Sequence, residues 1–448
     1  MKNRREKIAV IGSGVSGLSA SWLLSKSCDV TLFEADNRLG GHSNTVDVAT
    51  PEGTVPVDTG FIVYNEATYP NLTALFRHLD VPTELSSMTF SVSFGGGAYE
   101  YSGTRASGLF AQRSNFFNAA HWKMIADIVR FFRTAASSIS EREDTCTLDE
   151  LLKNGDYSRA FIERHIVPMG ACIWSSPEAD VLKMPARAFV EFFENHGLLK
   201  ISNRPKWRTV SGGSRAYVRQ ILNDTPAEVR MNTAVTSVHR GRDSIQVKTA
   251  GCEAELFDHI VFACHCDDAL FLLDDPSHSE RALLGAIDYA PNAAVLHTDR
   301  SMMPKRRSAW ASWNYLHKGS GTGAGPSLTY WMNALQNLRT DKNIFVTLNP
   351  ARPIGRSNLI GKFAYRHPVF DAGALRAQKN LWSLQGEKNT WFCGAWFGAG
   401  FHEDGLQAGL AVAEQIAGVP RPWSLDNPSS RIPVTKPAKE GGLLEAAE

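Results

Sequence analysis

Three glycines and one carboxylate carry the clearest chemistry in this chain. Gly12, Gly14 and Gly17 have the spacing G-x-G-x-x-G, and Glu34 follows about 20 residues on, the pattern of a dinucleotide-binding turn. Each position has a physical task. Gly12 permits the tight turn out of a strand, Gly14 leaves room for a pyrophosphate against the backbone, and Gly17 lets helix and strand pack closely. The free amides of the helix start, at Val15 and Ser16, would hold the phosphates. Glu34 would accept hydrogen bonds from a ribose diol. The motif alone leaves FAD and NAD equally open.

Other reactive types are sparser. Cys264-His265-Cys266 offers metal-ligand chemistry, but zinc needs four ligands and no second close Cys/His pair accompanies it, so no metal is expected. His297, His317, His367 and His402 lack a Ser or Cys nucleophile in a recognisable elbow, which leaves hydrolase chemistry without an anchor.

The glycine turn needs a strand before it and a helix after it. Lys7-Ile-Ala-Val-Ile11 is a short apolar run of the kind that forms a buried parallel strand. From Val15 to Ser25 small residues alternate with Leu18, Trp22, Leu23 and Leu24 at helical spacing, and Asp29-Val-Thr-Leu-Phe33 forms a second strand that ends at Glu34. Further on, Phe90 to Ser102 alternates around Gly95-Gly96-Gly97 and predicts antiparallel strands. Trp122, Ile125, Ile128, Val129 and Phe132 predict an amphipathic helix within Asn118 to Ser140, and Thr147-Leu-Asp-Glu150 has the form of a capping box. The helical middle lasts to about Leu199. Strands are predicted at Ala234 to Val238, Ile245 to Thr249, Ile260 to Ala263, Ala293 to Thr298, Leu328 to Met332, Ile344 to Leu348 and Thr390 to Cys393. A last helix runs from about Gly405 to Ala417, and a proline-broken tail follows.

Composition bounds the class. The 448 residues are 43% hydrophobic and 21% charged, ordinary usage for a folded protein. Lys+Arg 47 against Asp+Glu 46 gives a net charge of +1, which supplies no drive toward nucleic acid. The 7 cysteines are odd in number and scattered, as in a reducing compartment, and cytoplasmic location is expected. The basic Met1 to Lys7 segment leads into a strand rather than a signal peptide, and no apolar run predicts a transmembrane segment. Peripheral membrane contact stays open.

After the second strand comes Arg38-Leu-Gly40-Gly41-His42. With the glycine turn and Glu34, it resembles the extended FAD fingerprint of the flavin-containing amine oxidase superfamily, which usually has Arg where this chain has His42. Val57-Asp-Thr-Gly60, Val210-Ser-Gly212-Gly213-Ser214, the strand at Val235, Phe262-Ala-Cys-His265, and Phe392-Cys-Gly394-Ala-Trp396 with Glu403-Asp404-Gly405 are similar to further segments of that superfamily. The resemblance implies FAD as cofactor, bound at Gly12, Gly14, Val15, Ser16, Gly17, Glu34, Arg38, Gly41, His42, Gly60, Val235, Gly394, Glu403, Asp404 and Gly405. It places Tyr64, Trp396 and His402 on segments near the flavin, where Tyr64 and Trp396 either line a substrate channel or pack in the core, and His402 is either a proton-transfer group or a structural histidine. Cys393 lies beside the last motif, where a thioether to flavin is one reading and a buried apolar role the other. Superfamily members often use a lysine near the flavin, and none here matches it; the catalytic residues are unassigned.

The implied fold is α/β, a Rossmann-like FAD-binding domain with an inserted mixed α+β substrate domain. Its FAD-binding domain spans 1–85, 205–270 and 385–418, its substrate domain 86–204 and 271–384, and 419–448 forms an extended or disordered tail. Gly-Gly-His, Phe-Ile-Val-Tyr-Asn and Cys-Gly-Ala-Trp-Phe-Gly-x-Gly-Phe-His-Glu-Asp-Gly also resemble a bacterial group of predicted NAD/FAD-binding proteins, often encoded beside cyclopropane-fatty-acid-synthase-like methyltransferases. This implies a small-molecule or lipid acyl substrate and a methyltransferase partner. The expected function is an FAD-dependent oxidoreductase that takes hydride from a C–H bond of an apolar substrate. The alternatives are a non-redox flavoenzyme or isomerase, and an FAD-containing scaffold for the methyltransferase.

Overall fold

Lys7–Ile11 and Asp29–Phe33 pair in parallel, and the helix Val15–Leu24 between them is buried along its whole length. Its mixture of small and apolar residues suits a helix covered on every side. Glu228–Arg230 adds beside Asp29–Phe33, His259–Phe262 beside Lys7–Ile11, and Thr390–Phe392 beside His259–Phe262, all in parallel. The five-stranded sheet is thus assembled from distant parts of the chain. The computed structural model describes residues 4–103, 106–140, 146–174, 178–200, 204–242, 244–317 and 327–434.

The final helix, His402–Ala417, lies across Val15–Leu24. Glycine makes this crossing close. A Cβ at Gly409 would stand 2.2 Å from the Ser16 carbonyl oxygen, and one at Gly405 would stand 2.9 Å from both Ser16 Oγ and Val15 Cγ1.

A second, seven-stranded mixed sheet has the order Leu359–Val369, Asp288–His297, Phe345–Leu348, Ser327–Trp331, Trp313–His317, Phe90–Phe94, Tyr99–Ser102. It is antiparallel except where Trp313–His317 meets Phe90–Phe94. Helices Ala119–Ser140, Val167–Trp174 and Ala186–Asn195 share an apolar core with it, and a separate core surrounds the parallel sheet. The Thr147–Glu150 capping box forms as expected.

Two expectations are corrected. The tail is irregular from 419 to 434 but is packed: Trp423 stacks on Trp22 at 5.8 Å, Arg421 pairs with Glu414 at 2.7 Å, and Ile432 is buried. Residues 435–448 lie outside the described residues. The eleven-residue strand Leu359–Val369, absent from the sequence reading, pairs along the whole of Asp288–His297. Gly361 and Pro368 interrupt its strand signal, and pairing in a sheet overrides that weak local preference.

Candidate functional site

One cavity of about 1410 Å³ runs from the glycine turn into the space between the seven-stranded sheet and its helices. It exceeds the roughly 300–1,000 Å³ of a drug-sized site. Gly12, Gly14, Val15, Ser16, Glu34, Gly41, His42, Gly60, Val235, Gly394, Trp396 and His402 all line it.

The glycine turn has the form that a phosphate needs. Gly12 has φ +99°, and a Cβ there would stand 2.9 Å from the Ala263 carbonyl oxygen. At Gly17 a Cβ would reach 1.9 Å from the Gly12 carbonyl oxygen, so glycine is required for the turn to fold back on the helix. Gly14 differs. Its φ of −63° suits any residue, and a Cβ there meets nothing within 4 Å. Among the described residues no side chain caps the helix, and its first residues, Val15 and Ser16, line the cavity with their amides open to a ligand. The protein's own packing therefore leaves Gly14 room that a pyrophosphate fits.

Glu34 faces the same end. Its carboxylate accepts from the Ser13 amide at 2.9 Å and the Asp36 amide at 2.9 Å, which orients it and leaves acceptor capacity for a ribose diol. Arg38 does not line the cavity; its guanidinium donates to the Gly41 carbonyl at 2.6 Å and braces the loop that carries His42.

Beyond the turn the lining becomes aromatic. The His42 ring stacks on Tyr365 at 4.8 Å and on His367 at 5.4 Å, and its buried Nε2 has no hydrogen-bond partner among the described residues. Burial, reinforced by the neighbouring imidazoles of His367, His265 and His402, holds His42 well below the usual histidine range. His402 stacks on Phe61 at 3.7 Å, and its Nε2 is 3.0 Å from Ser43 Oγ and 3.1 Å from the Tyr217 hydroxyl. Burial pushes it down to about 3, so it is neutral and held in place. Trp396 packs over Gly394 and donates from Nε1 to the Cys264 carbonyl at 3.1 Å.

Several side chains lie elsewhere than expected. Tyr64 is buried against Phe76 and Tyr69 and does not reach the cavity, because its strand turns that face toward the core. The Glu403 and Asp404 carboxylates also turn away. Glu403 accepts from the Asn71 and Leu72 amides at 3.0 and 2.9 Å, capping the helix Pro70–His78, and Asp404 accepts from the Phe401 amide and pairs with Arg431 at 2.6 Å. Gly405 serves the crossing of the first and last helices. Cys393 is buried in the core and not on the cavity wall. His265, Asp267 and Asp268 do come together, but the Arg366 guanidinium joins both carboxylates.

Asp58 belongs to the Val57-Asp-Thr-Gly60 segment, but unlike Gly60 it does not line the cavity, and its partners all lie far along the chain or across the hairpin. Fully buried, it accepts from the Ser214 amide at 2.9 Å, Thr45 Oγ1 at 2.5 Å and Gln336 Nε2 at 2.8 Å. It joins the first hairpin, the return to the parallel-sheet region and the second sheet. Burial raises its carboxyl to about 6 against the pull of these donors. Phe61, Tyr365 and His367 reach the cavity wall only through long-range packing, and Tyr217, fully buried behind it, touches the site through His402.

The cavity's far half is apolar. Ile125, Ile128, Val129 and Phe132, one face of Ala119–Ser140, line it with Met169 and Ile173.

A family model described as flavin containing amine oxidoreductase matches residues 15–344. Among solved structures, a putrescine oxidase variant superposes with a TM-score of 0.64 at 14% identity, covering 92% of this chain and 99% of that one. An Exiguobacterium sp. 255-15 protein assigned as a protoporphyrinogen oxidase gives 0.63 at 13% identity, with coverages of 92% and 99%. A CLA-producing fatty acid isomerase from P. acnes gives 0.61 at 13%, with 92% and 98%.

Proposed function

Since the chain belongs to the flavin-containing amine oxidoreductases and is an FAD-dependent oxidoreductase, we propose that its substrate is a lipid acyl chain or a comparably long apolar molecule. The observation that supports this is the continuity of the dinucleotide groove with the apolar far half of the cavity. A bound flavin supplies an acceptor for a hydride from a substrate C–H bond.

The protein's own residues do the positioning. The open amides of Val15–Leu24 and the acceptor Glu34 hold the dinucleotide's polar end, with Gly41, His42, Gly60 and Gly394 along its length. The face of Ala119–Ser140 aligns a chain by shape and keeps water out. His42 and His402, both neutral, offer polarity without charge at the junction. On this reading 1–85, 205–270 and 385–418 form the FAD-binding domain and the inserted segments the substrate domain.

Exposed aromatic residues support a lipid source for the substrate. Phe116 and Phe117 are 56% and 88% exposed, beside the half-exposed Trp122. Residues 101–126 contain Arg105, Arg113 and Lys123 and no acidic side chain, which suits an anionic phospholipid surface. Co-sedimentation with phosphatidylglycerol vesicles, lost in Phe117→Ser, tests this; equal recovery without vesicles refutes it.

The deciding measurement is the visible spectrum under anaerobic conditions with unsaturated, methylated or cyclopropane acyl lipids. Bleaching by one of them supports the oxidoreductase reading with that substrate. Conversion of a lipid without bleaching favours an isomerase, a chemistry that this fold also carries in the named fatty acid isomerase.

A further inference from the structure

The charged residues of the cavity are unevenly placed. Its acidic lining residues, Glu34, Asp36 and Asp268, all stand at the ends of the parallel strands, and Arg366 there is paired with Asp268. The apolar half has no acidic lining residue among the described residues, yet it has two cations, Arg204 and Lys206. Both are also solvent-exposed, so they mark an opening of the apolar half, beside the exposed Leu85.

The opening is built into the fold. Trp207–Val210 pairs with Tyr64–Asn65 and Thr83–Leu85, and the Ser86 amide donates to the Trp207 carbonyl at 2.9 Å. Arg204 is fixed through Nε, which donates to the Lys200 carbonyl at 2.6 Å, and its other guanidinium nitrogens have no hydrogen-bond acceptor among the described residues. Among the described residues no carboxylate pairs with Arg204 or Lys206. Partial burial lowers Arg204 with no acid to offset it, and its charge adds to the burial that pushes His165, in the same wall, down to about 3. A cation that no acid compensates, at the mouth of an apolar slot, offers an incoming anion charge-assisted hydrogen bonds.

Resting on the apolar-chain reading above, we propose that Arg204 and Lys206 form a head-group site that selects an amphiphile with an anionic head, a carboxylate or a phosphate, whose chain enters the cavity toward the flavin. The same placement disfavours a cationic amine, which would meet two positive charges and no negative one at this opening.

The test is a titration of the FAD-loaded protein under anaerobic conditions, followed by perturbation of the flavin absorbance. The ligands share one chain: oleate, 1-oleoyl-lysophosphatidate, oleyl alcohol and oleylamine. The anions are expected to bind at least tenfold tighter than the alcohol, the amine weakest, with the preference shrinking as salt is raised. The tighter anion identifies the head group as a fatty acid carboxylate or a phosphate. Arg204→Gln with Lys206→Gln should abolish the preference while leaving the alcohol's affinity and the flavin content unchanged, and Arg204→Lys should keep most of it. Equal binding of oleate and oleyl alcohol, or a preference that survives the double variant, overturns the head-group site and leaves the apolar slot standing. Failure of every long-chain ligand to bind overturns both.

Discussion

Residues with the same name in one turn carry opposite requirements, and substitution separates them. Gly12 is required by the fold, because its φ is positive and a Cβ would press on the Ala263 carbonyl. Gly12→Ala is expected to lower stability by about 1–3 kcal/mol, read as a shift in the denaturation midpoint of the apoprotein. Gly14 is required only by what binds. Gly14→Val should leave the apoprotein's Tm unchanged within about 2 °C and its far-UV spectrum native, yet weaken FAD by at least about 100-fold, near 2.7 kcal/mol. Normal flavin content in that variant removes the turn from the binding site. Asp58→Ala leaves the Ser214 amide, Thr45 and Gln336 without their acceptor, and a loss on the order of 3 kcal/mol is expected in chemical denaturation.

At the scale of elements, the informative case is the start of the final helix. Its acidic residues read like cofactor ligands, but Glu403 satisfies the free amides of Pro70–His78, and Asp404 satisfies its own helix start and Arg431. Glu403→Ala should therefore destabilise the protein by about 2–3 kcal/mol while the bound flavin's spectrum keeps its shape. A displaced flavin spectrum at unchanged stability restores a cofactor role to that carboxylate. The sequence identified this helix, the opening strand-helix-strand unit and the helix Ala119–Ser140 because each satisfies its own period locally. It did not identify Leu359–Val369, whose eleven residues are held by a partner strand some seventy positions away.

For the whole molecule, buried neutral histidines set the response to acid. Burial pushes His165, His196 and His402 down to about 3 and His297 and His367 to about 4, and His42 is also strongly lowered. In the unfolded chain these groups titrate near 6.5, so below about pH 6.5 the unfolded state binds protons that the folded state does not. Stability must fall with pH, by up to about 1.4 kcal/mol per unit for each such histidine. Asp58, raised to about 6, and the buried Glu403 and Asp404, which burial also raises, act in the opposite direction, favouring the folded state as they protonate, but these three carboxyls stand against six histidines. Tm is expected to be level above about pH 7 and to drop steeply toward pH 5, with a shallower slope in His196→Phe. A Tm that holds at pH 5 contradicts this account of the core.

The sequence by itself determined the dinucleotide turn, the acid that follows it, the family resemblance and most of the regular elements. These depend on spacing within a few turns of chain, where backbone conformation and hydrophobic period act directly. Tertiary structure alone decided which candidate side chains face the cavity: His42, Trp396 and His402 do, whereas Tyr64, Glu403 and Asp404 do not. It also decided that an apolar slot joins the dinucleotide groove and that Arg204 stands at its opening. Those facts arise where segments hundreds of residues apart meet, and the direction a side chain takes there is set by partners that no local pattern names.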